Sequence, residues 1–286
     1  ISPLSIIAWL FVSCLSAGVN AIIWAGNTDV IAVWCDIVTK LKIGANTALP
    51  SCCLCLGLQL YAIAGSLKTP KRGGGGVAMD LSLCWGLPIL TMALHYIVQG
   101  HRFDVIEDFG CRPTIYISLL SLLLVDLPAV VVSLLALIYC GLALFYFSRR
   151  RLIFTSIFKN TASDSALSTS RYLRLMSMTM VLGTWNATMT SIGVFVTYSD
   201  GLRPWTSWSD VHSNFSRIQF YSLDQLSNGL LVYTYLLWAA VPISSLLFFA
   251  FFSFGEDSKK EYGHLFRWIR RCVLQQDGAS RSRSKY

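Results

Sequence analysis

Charged residues are scarce in this chain. Asp, Glu, Lys and Arg make up 13% of its 286 residues, where an ordinary globular protein carries about 25%. A soluble one- or two-domain protein of this length is thereby excluded, because too few polar side chains exist to cover it. Acids are the scarcer sign, 15 against 23 Lys and Arg, for a net charge of +8. That positive charge lies between apolar runs rather than on one polar face, which excludes the nucleic-acid partner a basic chain invites. Signatures of metal and phosphate chemistry are missing too. The four histidines, His95, His101, His212 and His264, share no ligand spacing. Cys52, Cys53 and Cys55 lack the paired Cys-x-x-Cys geometry of a zinc site and read as buried thiols, so no metal is assigned. Gly73 to Gly76 is followed by neither Lys-Ser nor Lys-Thr, which leaves a turn rather than a phosphate cradle. No cofactor is expected. With no nucleophile or metal constellation, an intramembrane enzyme ranks last.

What is present is apolar length. Hydrophobic residues reach 54% and the mean hydropathy is +0.56. Six runs are long enough for the roughly 20 helical residues that cross a bilayer: 3–24, 33–64, 77–98, 115–147, 173–198 and 226–254. They lack the period-two alternation of a barrel, and a bilayer core leaves helices as the remaining solution. The fold class expected is therefore all-α, an integral membrane helix bundle over 1–254. Residues 255–286 follow as a tail. Within it Tyr262, Leu265, Phe266, Ile269 and Val273 recur at helical spacing among lysines and arginines, which predicts an amphipathic helix over 258–275 on the inner leaflet. The opening run has no basic segment before it and is span-length, so it reads as mature structure rather than a signal peptide. The chain starts at Ile1, and the expectation is a fragment that lacks one earlier span of seven.

Basic residues orient the bundle, since cytoplasmic segments retain Lys and Arg. The 65–76 segment holds Lys68, Lys71 and Arg72, and 148–174 holds Arg149, Arg150, Arg151, Lys159, Arg171 and Arg174. With the tail these sum to 17, against four on the 25–32, 99–114 and 199–225 segments. The tail and the 148–174 loop are thus expected in the cytoplasm. Asn214-Phe215-Ser216 is a glycosylation sequon in an outward segment and agrees with that orientation.

Several stretches together resemble the fungal mating-pheromone receptors of the lipopeptide, a-factor type, class D of the G-protein-coupled receptors. WCDIVTKLKIGAN at 34–46 and YIVQGHRFDVIEDFGCRP at 96–113 are the most specific. SAGVNAIIW at 16–24, RYLRLM at 171–176 and PISSLLFFAFFSFG at 242–255 follow in family order. The resemblance implies a multi-pass plasma-membrane receptor for a secreted peptide with a prenylated, carboxymethylated C-terminal cysteine. It also implies signalling to a heterotrimeric G protein in the mating response. In that family the run at 3–24 resembles the second of seven spans.

Individual residues carry narrower expectations. Cys35 and Cys111 are the cysteines at outward ends, in the oxidising compartment, and are expected to form a disulfide pinning 99–114 over the bundle; two free thiols are the alternative. Asp36 and Lys40 are four apart on one helix face, with Lys42 about 200° round from Lys40. Either they contact the peptide or they form an ion pair beside a snorkelling lysine. Asp126, two residues before Pro128, either satisfies a broken turn or lines a cavity, the structural role being favoured. Asn20, Asn46 and Asn186 read as interhelical hydrogen-bonders. Tyr233 belongs with Trp205, Trp208, Tyr235 and Trp238, which are candidates for lining the ligand site or for interfacial anchoring. Pro242 marks a hinge or a static kink. Cys272, beside Arg271, is a palmitoylation candidate. The resemblance, rather than charge, makes Arg149, Arg150, Arg151, Arg171 and Arg174 G-protein-facing. The rival from another class is a secondary transporter, for which paired halves and coupled mid-membrane charges are expected. No repeat relates the two halves, and Asp126 reads as the one deep acid.

Overall fold

A computed structural model describes residues 1–26, 31–66, 74–149 and 169–253. Its long helices are α1 (Ser2–Ile23), α2 (Ala32–Ser66), α3 (Gly74–Val98), α4 (Leu119–Arg149), α5 (Thr169–Tyr198) and α6 (Asn228–Ser253). α2 is the central member and packs against α1, α3, α4 and α5, while α6 closes against α1 and α5. Close approach at the centre depends on a small residue. A Cβ on Gly44 of α2 would stand 2.8 Å from Met92 Sδ of α3 and 3.1 Å from Trp9 of α1. The outer flanks are apolar and exposed, as at Leu4, Phe11 and Ile22 of α1 and Leu246 and Phe249 of α6. Buried thiols Cys52, Cys53, Cys55, Cys84 and Cys140 lie in the core among aliphatic side chains or beside them.

Five of these helices are long and apolar enough to cross a membrane; α5 is not. The expected span at 173–198 does form a helix of 30 residues, but its serines, threonines and asparagine lower its hydropathy. The hydroxyls of Thr179, Thr184 and Thr188 donate to the carbonyls of Leu175, Met180 and Thr184 at 2.7 to 2.9 Å, so these polar groups are satisfied within the helix. α4 begins at Leu119 rather than 115. There Ser118 Oγ accepts the Ser121 N–H and Ser121 Oγ accepts the Ser118 N–H, a reciprocal N-terminal cap.

Two helices widen to a π turn just before a proline, at Ser82–Gly86 ahead of Pro88 and at Leu122–Asp126 ahead of Pro128. A proline ring clashes with the carbonyl four residues back and donates nothing to it. In α3 that carbonyl is Cys84, and it instead accepts Trp9 Nε1 of α1 at 3.1 Å. The proline has opened an acceptor that the neighbouring helix fills.

The segments 99–114 and 199–225 add structure that the all-helical expectation omitted. β1 (Phe103–Ile106) and β2 (Gly110–Arg112) form an antiparallel hairpin, and β3 (Ile218–Tyr221) pairs parallel to β1, giving the order β2-β1-β3. This small sheet joins 99–114 to 199–225 in one lid.

Candidate functional site

The lid is seated by residues at the helix ends. Trp24, fully buried, accepts the Asp108 N–H at 2.9 Å, and Asp108 Oδ1 accepts the Gly26 N–H at 2.8 Å. Asn20 is shared between helix and lid: its Oδ1 accepts Trp34 Nε1 at 2.8 Å and its Nδ2 donates to the Phe109 carbonyl at 3.4 Å. Gly110 turns the hairpin with φ +72°, and a Cβ there would lie 2.7 Å from Trp24 and 2.9 Å from Asn20. Glycine is required on both counts. Cys35, at the top of α2, and Cys111 of β2 are joined in a disulfide.

A polar relay then runs along the α3 side of the lid. Arg102 reaches Asp36 with two bonds, at 2.9 and 2.5 Å. Arg102 also offers its carbonyl to Gln99 Nε2 at 2.6 Å. Lys40 donates to Gln99 Oε1 at 2.7 Å and to His95 Nδ1 at 2.8 Å, and an ammonium has no lone pair, so Nδ1 is the acceptor. His95 Nε2 therefore carries the proton and donates to the Thr114 carbonyl at 3.0 Å. Asp36 and Lys40 thus pair with other groups and not with each other: their helix-neighbour ion pair gives way to contacts that hold the lid. On the lid itself, Asp104 accepts His101 Nε2 at 2.7 Å. Burial pushes its carboxyl up from the ordinary range, which His101, Arg112 and Arg217 offset in part.

The opposite face of α2 looks inward. Lys42 is exposed although α2 is the central helix, and it lies seven residues before Leu49 on one helix face, which places it beneath the lid at the mouth of that face. Its Nζ donates to the Cys111 carbonyl at 2.6 Å. Asn46, one turn deeper, is also exposed. Leu49 and Cys53 continue this face to a narrow cavity that they share with Asn186 and Ser244 and that has about 10 Å³ of accessible space, at the limit for a single water. Arg112 stands close enough to repel Lys42 and lies within electrostatic reach of Tyr233 on α6. Tyr233 is buried, its hydroxyl 3.4 Å from where a Cβ on Gly193 would sit. Asp126, in the π turn of α4, accepts the Tyr198 hydroxyl of α5 at 2.7 Å, and Tyr198 also meets Ser121 at 3.1 Å. Of the four candidate ligand residues, then, Asp126 is bonded to Tyr198 between α4 and α5 and Tyr233 is buried on α6, while Asp36 and Lys40 face the lid relay.

Elsewhere, Asn214 is exposed at a left-handed turn with φ +55°. Pro242 lies inside a continuous α6. Arg149 ends α4 with its guanidinium 5.3 Å from the Phe145 ring, Arg171 lies on the first turns of α5, and Arg174 is half-buried. Arg150, Arg151, Cys272 and the 258–275 helix lie outside the described residues. At the end of the bundle away from the lid, Asp80 is fully buried and takes Ser2 Oγ at 3.3 Å and Gln59 Nε2 at 3.1 Å. The Tyr172 hydroxyl of α5 donates to the Leu60 carbonyl of α2 at 3.1 Å.

The STE3 family model, described as pheromone A receptor, matches residues 1–272. The chain belongs to this family. Among its relatives, the pheromone B beta 1 receptor of Schizophyllum commune is 45% identical over 267 residues, 92% of this chain and 49% of its own length. Pheromone receptor 1 of Mycosarcoma maydis is 30% identical over 279 residues, covering 94% and 77%. The pheromone a factor receptor of Saccharomyces cerevisiae is 24% identical over 276 residues, covering 94% and 57%. The chain spans about half the length of the Schizophyllum relatives it matches. No solved structure gives a significant match. A STE3-family chain with five membrane-competent helices is a multi-pass membrane protein, and its family is one of receptors, which leaves the transporter alternative without support.

Proposed function

We propose that the chain is the body of a plasma-membrane receptor for a secreted, prenylated mating pheromone, and that it signals through a heterotrimeric G protein. The observation that carries this reading is an exposed polar face of the central helix, Lys42 and Asn46, under a disulfide-pinned lid in a bundle of the STE3 family. The peptide enters beneath the lid and meets Asp126 and Tyr233. Asp36 and Lys40 act through the lid they hold. All six long helices span the bilayer. The 148–174 loop and the tail face the cytoplasm, where Arg149, Arg150, Arg151, Arg171 and Arg174 meet the G protein. Asn214 carries a glycan outside, Cys272 a palmitoyl chain inside, and Pro242 is the hinge about which α6 tilts. A ligand drives such a tilt only through unequal affinity for the two bundle states.

The test is expression in a receptor-deleted fungal reporter strain, of this chain alone and with a relative's first span fused ahead of Ile1. Surface display and G-protein-dependent reporter output are measured against synthetic farnesylated, carboxymethylated peptides. Dose-dependent output from a displayed form supports the reading. Displayed protein silent to the whole panel overturns it.

A further inference from the structure

We infer that Lys42, with Asn46 one turn below it and Arg112 beside it, is a subsite for a carboxylate on the peptide ligand. The inference deepens the receptor reading and rests on it. A lysine within a span is costly to keep unless it is paired or meets water or a ligand. Lys40 satisfies itself within the protein, on His95 and Gln99 and 5.7 Å from the Tyr96 ring. Lys42 does not: among the described residues no carboxylate lies within ion-pair distance of it, and its one bond is to the Cys111 carbonyl. An ammonium carries three donors, so two remain for the open space its side chain faces.

The surroundings select the sign of the guest. The acids of the neighbouring helices and strand β1 have partners other than Lys42, Asp36 in Arg102, Asp104 in His101 and Asp126 in the Tyr198 hydroxyl. Arg112, next in the chain to the Cys111 carbonyl that Lys42 bonds and cross-strand from Asp104, adds a second positive charge at this end of α2. Two neighbouring cations at a low-dielectric mouth repel each other and are relieved by an anion between them. Asn46, exposed at the i+4 position on the same face, supplies an amide that both donates and accepts for the peptide around that carboxylate. The disulfide and the Cys111 carbonyl hold Lys42 in place from above, so its position is fixed before the ligand arrives.

The test uses the surface-displayed receptor and farnesylated peptides synthesised in three versions, with Asp, Asn or Lys at each varied position. At one position the Asp version should be about tenfold more potent than the Asn version on the unmodified receptor, the scale of one charge-assisted hydrogen bond. Lys42→Glu should reverse the order in favour of the Lys version. Lys42→Gln keeps a donor for the Cys111 carbonyl and should bring Asp and Asn versions within about twofold of each other. Lys42→Arg should retain the preference. If Lys42→Glu fails to reach the surface, Lys42→Gln decides. Equal loss of potency toward all three versions would mean that Lys42 only braces the lid, and the inference falls while the receptor reading stands. It falls too if the unmodified receptor has no charge preference at any position, or if Lys42→Gln keeps one. Silence of a displayed receptor toward every peptide removes both together.

Discussion

Lys42 and Lys40 differ by two residues in sequence and by the whole thickness of a helix in what they meet. Their lysine chemistry is the same, so the environment decides which is scaffold and which faces the mouth. The same holds for Cys35 and Cys111, whose partnership closes a separation of 76 residues. Breaking it with Cys35→Ser should cost about 2 to 5 kcal/mol, the range for a native disulfide. The measurement is thermal unfolding in detergent, together with proteolysis in the 67–73 segment and a non-reducing gel. Fragments that stay linked in Cys35→Ser would contradict the pairing. At this scale the sequence singled out the two cysteines that the structure joins. It hid the hydrogen-bond partners of Asp36 and Lys40, because Arg102 and His95 are 66 and 55 residues away and no local spacing encodes them. Lys42 was visible as an odd cation in a span, but whether that cation meets lipid headgroups or an internal space depends on helix rotation.

At the scale of an element, the π turn of α3 is a compensated defect. Pro88 leaves the Cys84 carbonyl without its helical donor, and Trp9 of α1 supplies one. Trp9→Phe should therefore cost about 1 kcal/mol in the natural chain, the net worth of one buried hydrogen bond. In a Pro88→Ala background the restored N–H takes the acceptor, and the Trp9→Phe cost should shrink towards zero. A double-mutant cycle read by thermal unfolding isolates this coupling; additive costs would mean that the indole contributes only packing. Helix existence was legible here because apolar runs of span length admit little else. The π turns, the start of α4 at its serine cap and the hairpin of the lid were not, since each arises from short-range geometry that hydropathy averages away. The polar helix α5 shows the opposite case. Its run is span-length but its hydropathy falls short of the other five, and the helix provides acceptors for its threonine hydroxyls one turn back.

For the whole molecule, the two ends of α5 are held differently. Tyr198 fastens its outer end to Asp126 of α4, and Tyr172 fastens its inner end to the Leu60 carbonyl of α2, with the Tyr172 ring stacked on Phe147 at 5.2 Å. If the receptor reading holds, signalling requires the inner end to loosen. Tyr172→Phe removes a bond worth about 0.5 to 1.5 kcal/mol from the closed state, so basal reporter output should rise roughly two- to tenfold at equal surface display. Unchanged basal output would mean that this contact does not differ between the two states. The sequence by itself determined the class of the molecule. Scarce charge and long apolar runs leave a helical membrane bundle as the solution, basic residues at the loops set its expected orientation, and the quoted motifs mark the family that the match over residues 1–272 shows. What only the tertiary structure decided is which faces of those helices look inward. Rotation of a helix about its axis is fixed by packing against neighbours far away in sequence, and that packing turns Lys42 and Asn46 to the mouth, Asp36 and Lys40 to the lid, and Asp80 into the inner end of the core.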